Sequence, residues 1–313
     1  MKKSIVLTAA LIIVILAALW AYMTWTSPYK LPPVSADVPW TSYQLDFSKE
    51  EKSYRNAKAL GEKPEPPALP LMNEEAADRA YAYALSLSKA GDGKRDERIR
   101  YLQEAARLVP RNLAYSTPLR LEMAAAGQGE AFVQLMDGLK EADLPQVRLQ
   151  KAMSLVDRLQ EPTIGTASLG QLSYLSIEVL DKVLEDNPYD WMAHYARGVN
   201  NLYWPVGLQR IDKSIQDLAF CVAVAHSFAD RSPVLWPKAY TALGDALVKK
   251  GDVKEGIQVW KDGLKRFPEH EELKQRVQAG NGQAEQIVAK ERGMEQFQRP
   301  ASDMTDFSVI WNK

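Results

Sequence analysis

PKAYTALGDALVKKGDVKEGIQVWKDGLKRFPEH, residues 237–270, decides how this chain is read. Tyr240, Leu243 and Leu247 recur at helical spacing, with Ala239, Ala242 and Ala246 allowing close approach on the adjoining face. Lys249-Lys250-Gly251-Asp252 then reads as a helix stop, a turn and a new start. Val253, Ile257, Trp260 and Leu264 form the stripe of a second helix, which Pro268 ends. The stretch is a helical hairpin. Gly244 and Gly256 are the positions where its two helices can approach most closely, with larger residues filling the gaps around them.

The pattern resembles a tetratricopeptide repeat (TPR), a 34-residue unit written W-x2-L-G-x2-Y, A-x3-F, P. The matching positions hold Tyr240, Leu243, Gly244, Leu247, Gly256, Trp260 and Pro268. Spacing agrees throughout. Identity departs at four positions, with Tyr for Trp, Leu for Tyr, Gly for Ala and Trp for Phe. Working outward, three helices run into a proline at similar signals, Leu108-Val109-Pro110, Asp186-Asn187-Pro188 and Arg266-Phe267-Pro268. Their prolines lie 78 and 80 residues apart, two such units plus an insertion. Helices are expected near 73–90, 95–109, 112–126, 129–141, 145–160, 167–187, 189–203, 208–229, 234–250 and 252–267, with a capping helix at 269–279 and another after Gln283. The expected fold is all-α, a TPR-like α-solenoid of about five hairpins over 73–293, with an irregular tail over 294–313. Pro118 and the insertion WPVGLQR at 204–210 break the standard repeat.

Upstream, residues 4–25 (SIVLTAALIIVILAALWAYMTW) carry no charge and follow Lys2 and Lys3. At roughly 1.5 Å per residue this run spans a hydrocarbon core of about 30 Å as a helix. Trp20, Tyr22, Trp25 and Tyr29 cluster where such a helix leaves the bilayer. The expectation is a signal-anchor over 1–26 in the cytoplasmic membrane, N-terminus inside and bulk outside; secretion after signal cleavage is the alternative. Eight of the 18 prolines fall between Pro28 and Pro70, so 27–72 reads as a stiff stalk with a short helix starting near Ser48.

The net charge of −1 argues against a nucleic-acid partner. The single cysteine, Cys221, lies in the apolar run AFCVAVA; it excludes an internal disulfide and reads as a buried, inert thiol. His194, His226 and His270 have no metal-ligand spacing, so no metal or cofactor is expected. Gly91-Asp92-Gly93-Lys94 reads as a polar turn rather than a phosphate or calcium loop, and the stretch 165–170 as a helix start capped by Ser or Thr. No nucleophile–base or paired-acid arrangement can be assembled from the sequence, so no small-molecule substrate is expected and an enzyme with an unrecognised site is the lesser alternative.

The resemblance implies a concave groove lined by the first helix of each hairpin, and hence a protein partner. With Gly198 in the small position of its helix, Tyr195, Val199 and Leu202 fall on that groove. Lys238, Thr241, Asp245 and Val248 are the equivalents in 237–270, while Asn201, Trp204 and Arg210 crowd the adjoining helix end. In plan the chain resembles anchored TPR proteins that assist cytochrome maturation or accompany the secretion translocon. It reads as a scaffold or adaptor in assembly of an envelope or respiratory complex, with a permanent structural subunit as the alternative. Phe307-Ser308-Val309-Ile310-Trp311 predicts that the tail docks, on this chain or on a partner.

Overall fold

The computed structural model describes residues 29–312, apart from 62, 63, 89, 90, 163, 229, 232, 302 and 303. The expected span 4–25, with Trp20, Tyr22 and Trp25, lies outside the described residues. Among the described residues, no helix is long and apolar enough to cross a membrane.

Apolar residues at helical spacing form twelve α-helices among the described residues, and no strand. A short helix α1 (Ser48–Ala59) precedes five hairpins. These are α2 (Glu74–Leu87) with α3 (Arg95–Leu108), α4 (Leu113–Ala125) with α5 (Gly129–Asp137), and α6 (Pro145–Asp157) with α7 (Thr166–Asp186). Then follow α8 (Trp191–Leu202) with α9 (Ile211–Ser227), and α10 (Trp236–Lys250) with α11 (Val253–Arg266). Each helix packs on its chain neighbours, so the core is one continuous seam. A last helix, α12 (Glu271–Arg292), caps the stack and is broken at Gly280 (φ 57°), which accounts for the two expected capping pieces.

The three proline signals build one turn three times over. Helices α3, α7 and α11 stop two residues before Pro110, Pro188 and Pro268. In each, the next amide (Val109, Asn187, Phe267) bonds back to Ala105, Val183 or Gly263 O, and the amide three further on closes the loop onto it. Proline cannot extend the helix, and Asn112, Asp190 and His270 stand at the following N-caps. The hairpin α10/α11 turns at Gly251, whose φ of 105° suits only glycine. Its helices touch at Gly244 and Gly256: a Cβ on Gly244 would overlap the Trp260 ring at Nε1, and one on Gly256 would lie 2.6 Å from Gly244 O.

Helix α4 runs through Pro118, as the expected helix over 112–126 requires, with Leu113, Ala114, Leu119 and Met123 buried around an interior proline that costs ~3 kcal/mol. Two local expectations are revised. Helix α7 starts on Gly165, with no side-chain cap from Ser or Thr. Residues 29–45, read from their prolines as part of a stalk, lie along the solenoid instead. Tyr29 donates to Asp262 of α11 at 2.7 Å. Trp40 stacks edge-on against Phe228 and Trp236, and Ser42 O accepts from Asn187 at 2.8 Å. Tyr43 is buried among Tyr189, Phe220 and Phe228. This strap runs against chain order, from the last hairpin back to α1. There Glu50 accepts the Leu113 amide at 3.2 Å, and Ser53 meets Asn112 and Tyr115. Proline kept the strap extended; its aromatic residues buried it.

Candidate protein-binding groove

The first helices α4, α6, α8 and α10 share one face of the stack, and the chain's own C-terminal segment lies along it. The segment leaves α12 at Gly293 (φ 66°). Val206 N donates to Met294 O at 2.9 Å, and Gln298 N to Tyr203 O at 3.2 Å. The Arg299 guanidinium then donates to the carbonyls of Leu159, Glu161 (3.0 Å) and Ile164 (2.9 Å), groups that the end of α6 and the following loop leave without helical partners. Gln160 donates to Pro300 O. Arg120, fully buried on α4, donates to Gln150 at 2.8 Å, to Asp157 and to Thr305 O. Asp157 also accepts the Thr305 hydroxyl, so one ion pair reads both the backbone and the side chain of Thr305. Phe307, Ile310 and Trp311 are buried at the far end, Trp311 beside Phe47.

A buried charge cluster fastens the cap. Asp245 of α10 is wholly buried and accepts from Arg276 (2.6 and 2.9 Å) and Arg292 (2.8 Å), one on each side of the Gly280 break. Arg292 also donates to the Tyr203 hydroxyl. Lys249 donates to Leu202 O at 2.8 Å and Arg292 O at 2.9 Å, joining the C-termini of α8 and α12. Burial, with the Arg292 charge adding to it, pushes the Lys249 ammonium down to about 8.

The residues placed on the groove by spacing divide into three groups. Tyr195, Val199 and Lys238 border a cavity of about 310 Å³ that the tail crosses, beside Tyr203, Arg299 and Met304. Leu202, Thr241, Asp245, Val248 and Asn201 are buried in packing rather than presented to a ligand. Thr241 bonds back to Pro237 O, Val248 closes over Gly256, and Asn201 donates to Arg197 O. Trp204 and Arg210 form a stacked pair just beyond the end of α8. Trp204 donates to Ser173 Oγ at 2.7 Å and meets Phe297 of the tail, while the Arg210 guanidinium sits 4.6 Å over the Trp204 ring. Spacing missed Arg120, Gln150 and Asp157. The available signal was Leu113, Thr117 and Arg120, an apolar-stripe register that turns polar within one helix.

Cys221 is buried against Trp191, and burial raises its thiol well above the usual range. His194 bridges Asp217 and Pro188 O. Among the described residues, no group of His, Cys, Asp and Glu is placed to hold a metal ion.

No family model matches the chain, and no curated protein does. Solved structures do. TTC0263, a thermophilic TPR protein of Thermus thermophilus, shares 16% identity at a TM-score of 0.47, over 65% of this chain and 98% of that one. The 41-end form of MamA from Desulfovibrio magneticus RS-1 shares 18% at 0.41, over 62% and 97%. A MamA RS-1 double mutant shares 18% at 0.40, over 61% and 94%. These are likenesses of helical arrangement alone.

Proposed function

We propose that this chain is a membrane-tethered, extracytoplasmic scaffold that binds a partner protein through its solenoid, in assembly of an envelope or respiratory complex. The observation that carries the binding role is the tail in the groove: this face of the stack already holds an extended polypeptide by backbone and side-chain contacts. The tether rests on the charge-free run 4–25. With Tyr29 fixed on α11, the four residues from Trp25 reach at most about 14 Å, so the last hairpin stands beside the bilayer rather than on a stalk. Lys254, Lys261 and Lys265 are exposed along one face of α11, suited to anionic headgroups.

The filled groove favours one second reading, a permanent structural subunit of a larger membrane complex. Crosslinking in native membranes with mass spectrometry tests both. Substoichiometric, exchanging capture of a partner is the expected result, and constant stoichiometry supports the subunit. Absence of any crosslinked protein, or turnover of a substrate by the isolated chain, overturns the proposal.

A further inference from the structure

We infer that Gln298–Trp311 is a built-in ligand of the groove, and that the groove's outside partner is an extended segment of another protein with the same chemistry. That chemistry is an Arg-Pro pair, a Thr or Ser six residues after the arginine and an aromatic residue two further on. The inference rests on the scaffold reading and names what the scaffold recognises.

Three observations carry it. First, the segment is held as a bound peptide is held. Among its described residues only the short 3-10 turn Phe307–Ile310 is helical, and its fixed points are side chains and backbone groups received by the solenoid. Second, the receiving groups are specific. Three converging carbonyls, of Leu159, Glu161 and Ile164, present acceptors that a planar guanidinium can fill together. Arg120 and Asp157, buried side by side, present a donor for a backbone carbonyl and an acceptor for the hydroxyl of the same residue. Removing either arm of a buried pair is costly, so this pair discriminates for Thr or Ser over an apolar residue.

Third, the segment leaves the groove partly open. Gln298, Arg299, Ala301 and Met304 border a cavity of about 310 Å³ together with Tyr195, Val199 and Lys238, and Ala301 is exposed. Covalent attachment, through Gly293, gives the tail an effective concentration on the order of millimolar. An outside segment of equal intrinsic affinity is suppressed until the tail is weakened or the partner is itself held nearby.

The test uses the full chain in detergent and a fluorescein-labelled synthetic peptide of residues 296–312 as the probe. In the Arg299→Ala/Phe307→Ala chain the peptide is expected to bind at least tenfold tighter than to the unaltered chain. Peptides carrying Arg299→Ala or Thr305→Val are expected to lose at least tenfold. A folded double variant that takes up the peptide no better than the unaltered chain overturns the inference. If the variant melts below the assay temperature, native-state hydrogen exchange of the unaltered chain decides. Exchange at Gln298 well ahead of the α8 and α10 amides supports a releasable tail; exchange only together with them refutes it. A partner crosslinked to the outer surface, with the peptide arm negative, sinks this inference and leaves the scaffold reading standing. Peptide exchange with no crosslinked partner sinks the scaffold reading and with it the outside partner, and leaves the tail as the groove's ligand.

Discussion

Replacing Asp245 by alanine should detach the cap from the solenoid. Asp245 is fully buried, and the carboxylate faces two guanidiniums whose side chains are only 1% and 10% exposed. Arg276 keeps Glu291, which is 41% exposed and so largely screened, and Arg292 keeps only the Tyr203 hydroxyl and its ring. Removing one partner of a buried pair costs about 3–5 kcal/mol, because charge is left uncompensated in low dielectric. At about 2–4 °C per kcal/mol for a domain of this size, the midpoint of thermal unfolding should fall by roughly 6–20 °C. Circular dichroism melting of the full chain measures it. Hydrogen exchange should localise the loss to α12 and the tail, since Asp245 holds α12 on both sides of Gly280. The apolar triple Asp245→Leu/Arg276→Leu/Arg292→Met should regain most of the stability, because it removes all three buried charges. A midpoint change under about 2 °C for Asp245→Ala refutes the reasoning. So does a triple variant no more stable than the single.

Four further outcomes follow from the same packing. Gly244→Ala drives a Cβ into Trp260 Nε1 and to 2.9 Å from Gly256 O, and should cost about 2–3 kcal/mol by denaturant titration. Gly170→Ala, whose Cβ meets only Trp204 at 3.8 Å, should be neutral or stabilising by about 0.5–1 kcal/mol in the same titration. The depressed Lys249 ammonium fixes a pH dependence: between about pH 8 and 10.5 the unfolded chain holds the proton that the folded chain has released. Stability of the unaltered chain relative to Lys249→Met should therefore rise across that window, and a difference flat with pH contradicts the assignment. Cys221 should react with a thiol reagent only at the rate of unfolding, and fast labelling of the folded chain would contradict its burial.

Helices were legible wherever one face was apolar at a period near 3.6, and the repeated Pro110, Pro188 and Pro268 turns fixed their ends to within a few residues. Gly244 and Gly256 announced the tightest contact of the stack. Less legible was what covers each face. Periodicity marks the residues that leave water, not the element that displaces it. Asp245 and Val248 thus fell on the groove by register, yet lie buried under α12 and against α11. The segment 29–45 was misjudged for a related reason. Its prolines state only that the backbone is extended, and an extended chain can be a spacer or a strap. Trp40, Tyr43 and Leu45, apolar and close together, were the residues that distinguished the two. Arg120 carried only its place on the Leu113–Thr117 register and Arg299 no signal at all, since their meaning comes from partners 37 and 140 residues away in the chain.

The reversed course of the strap has a consequence for biogenesis. Tyr29 to Tyr43 are among the first described residues to be made, yet their seats, from Asn187 to Asp262, are made 145 to 233 residues later. A solenoid ordinarily folds outward from any nucleus, one neighbour at a time. Here the early segment must wait unseated, with Trp40 and Tyr43 uncovered, until nearly the whole polypeptide has emerged. The final closure is then a long-range step that ties the newest hairpin to the oldest residues. Such ring closure makes the molecule slow to mature and, once closed, slow to come apart at either end.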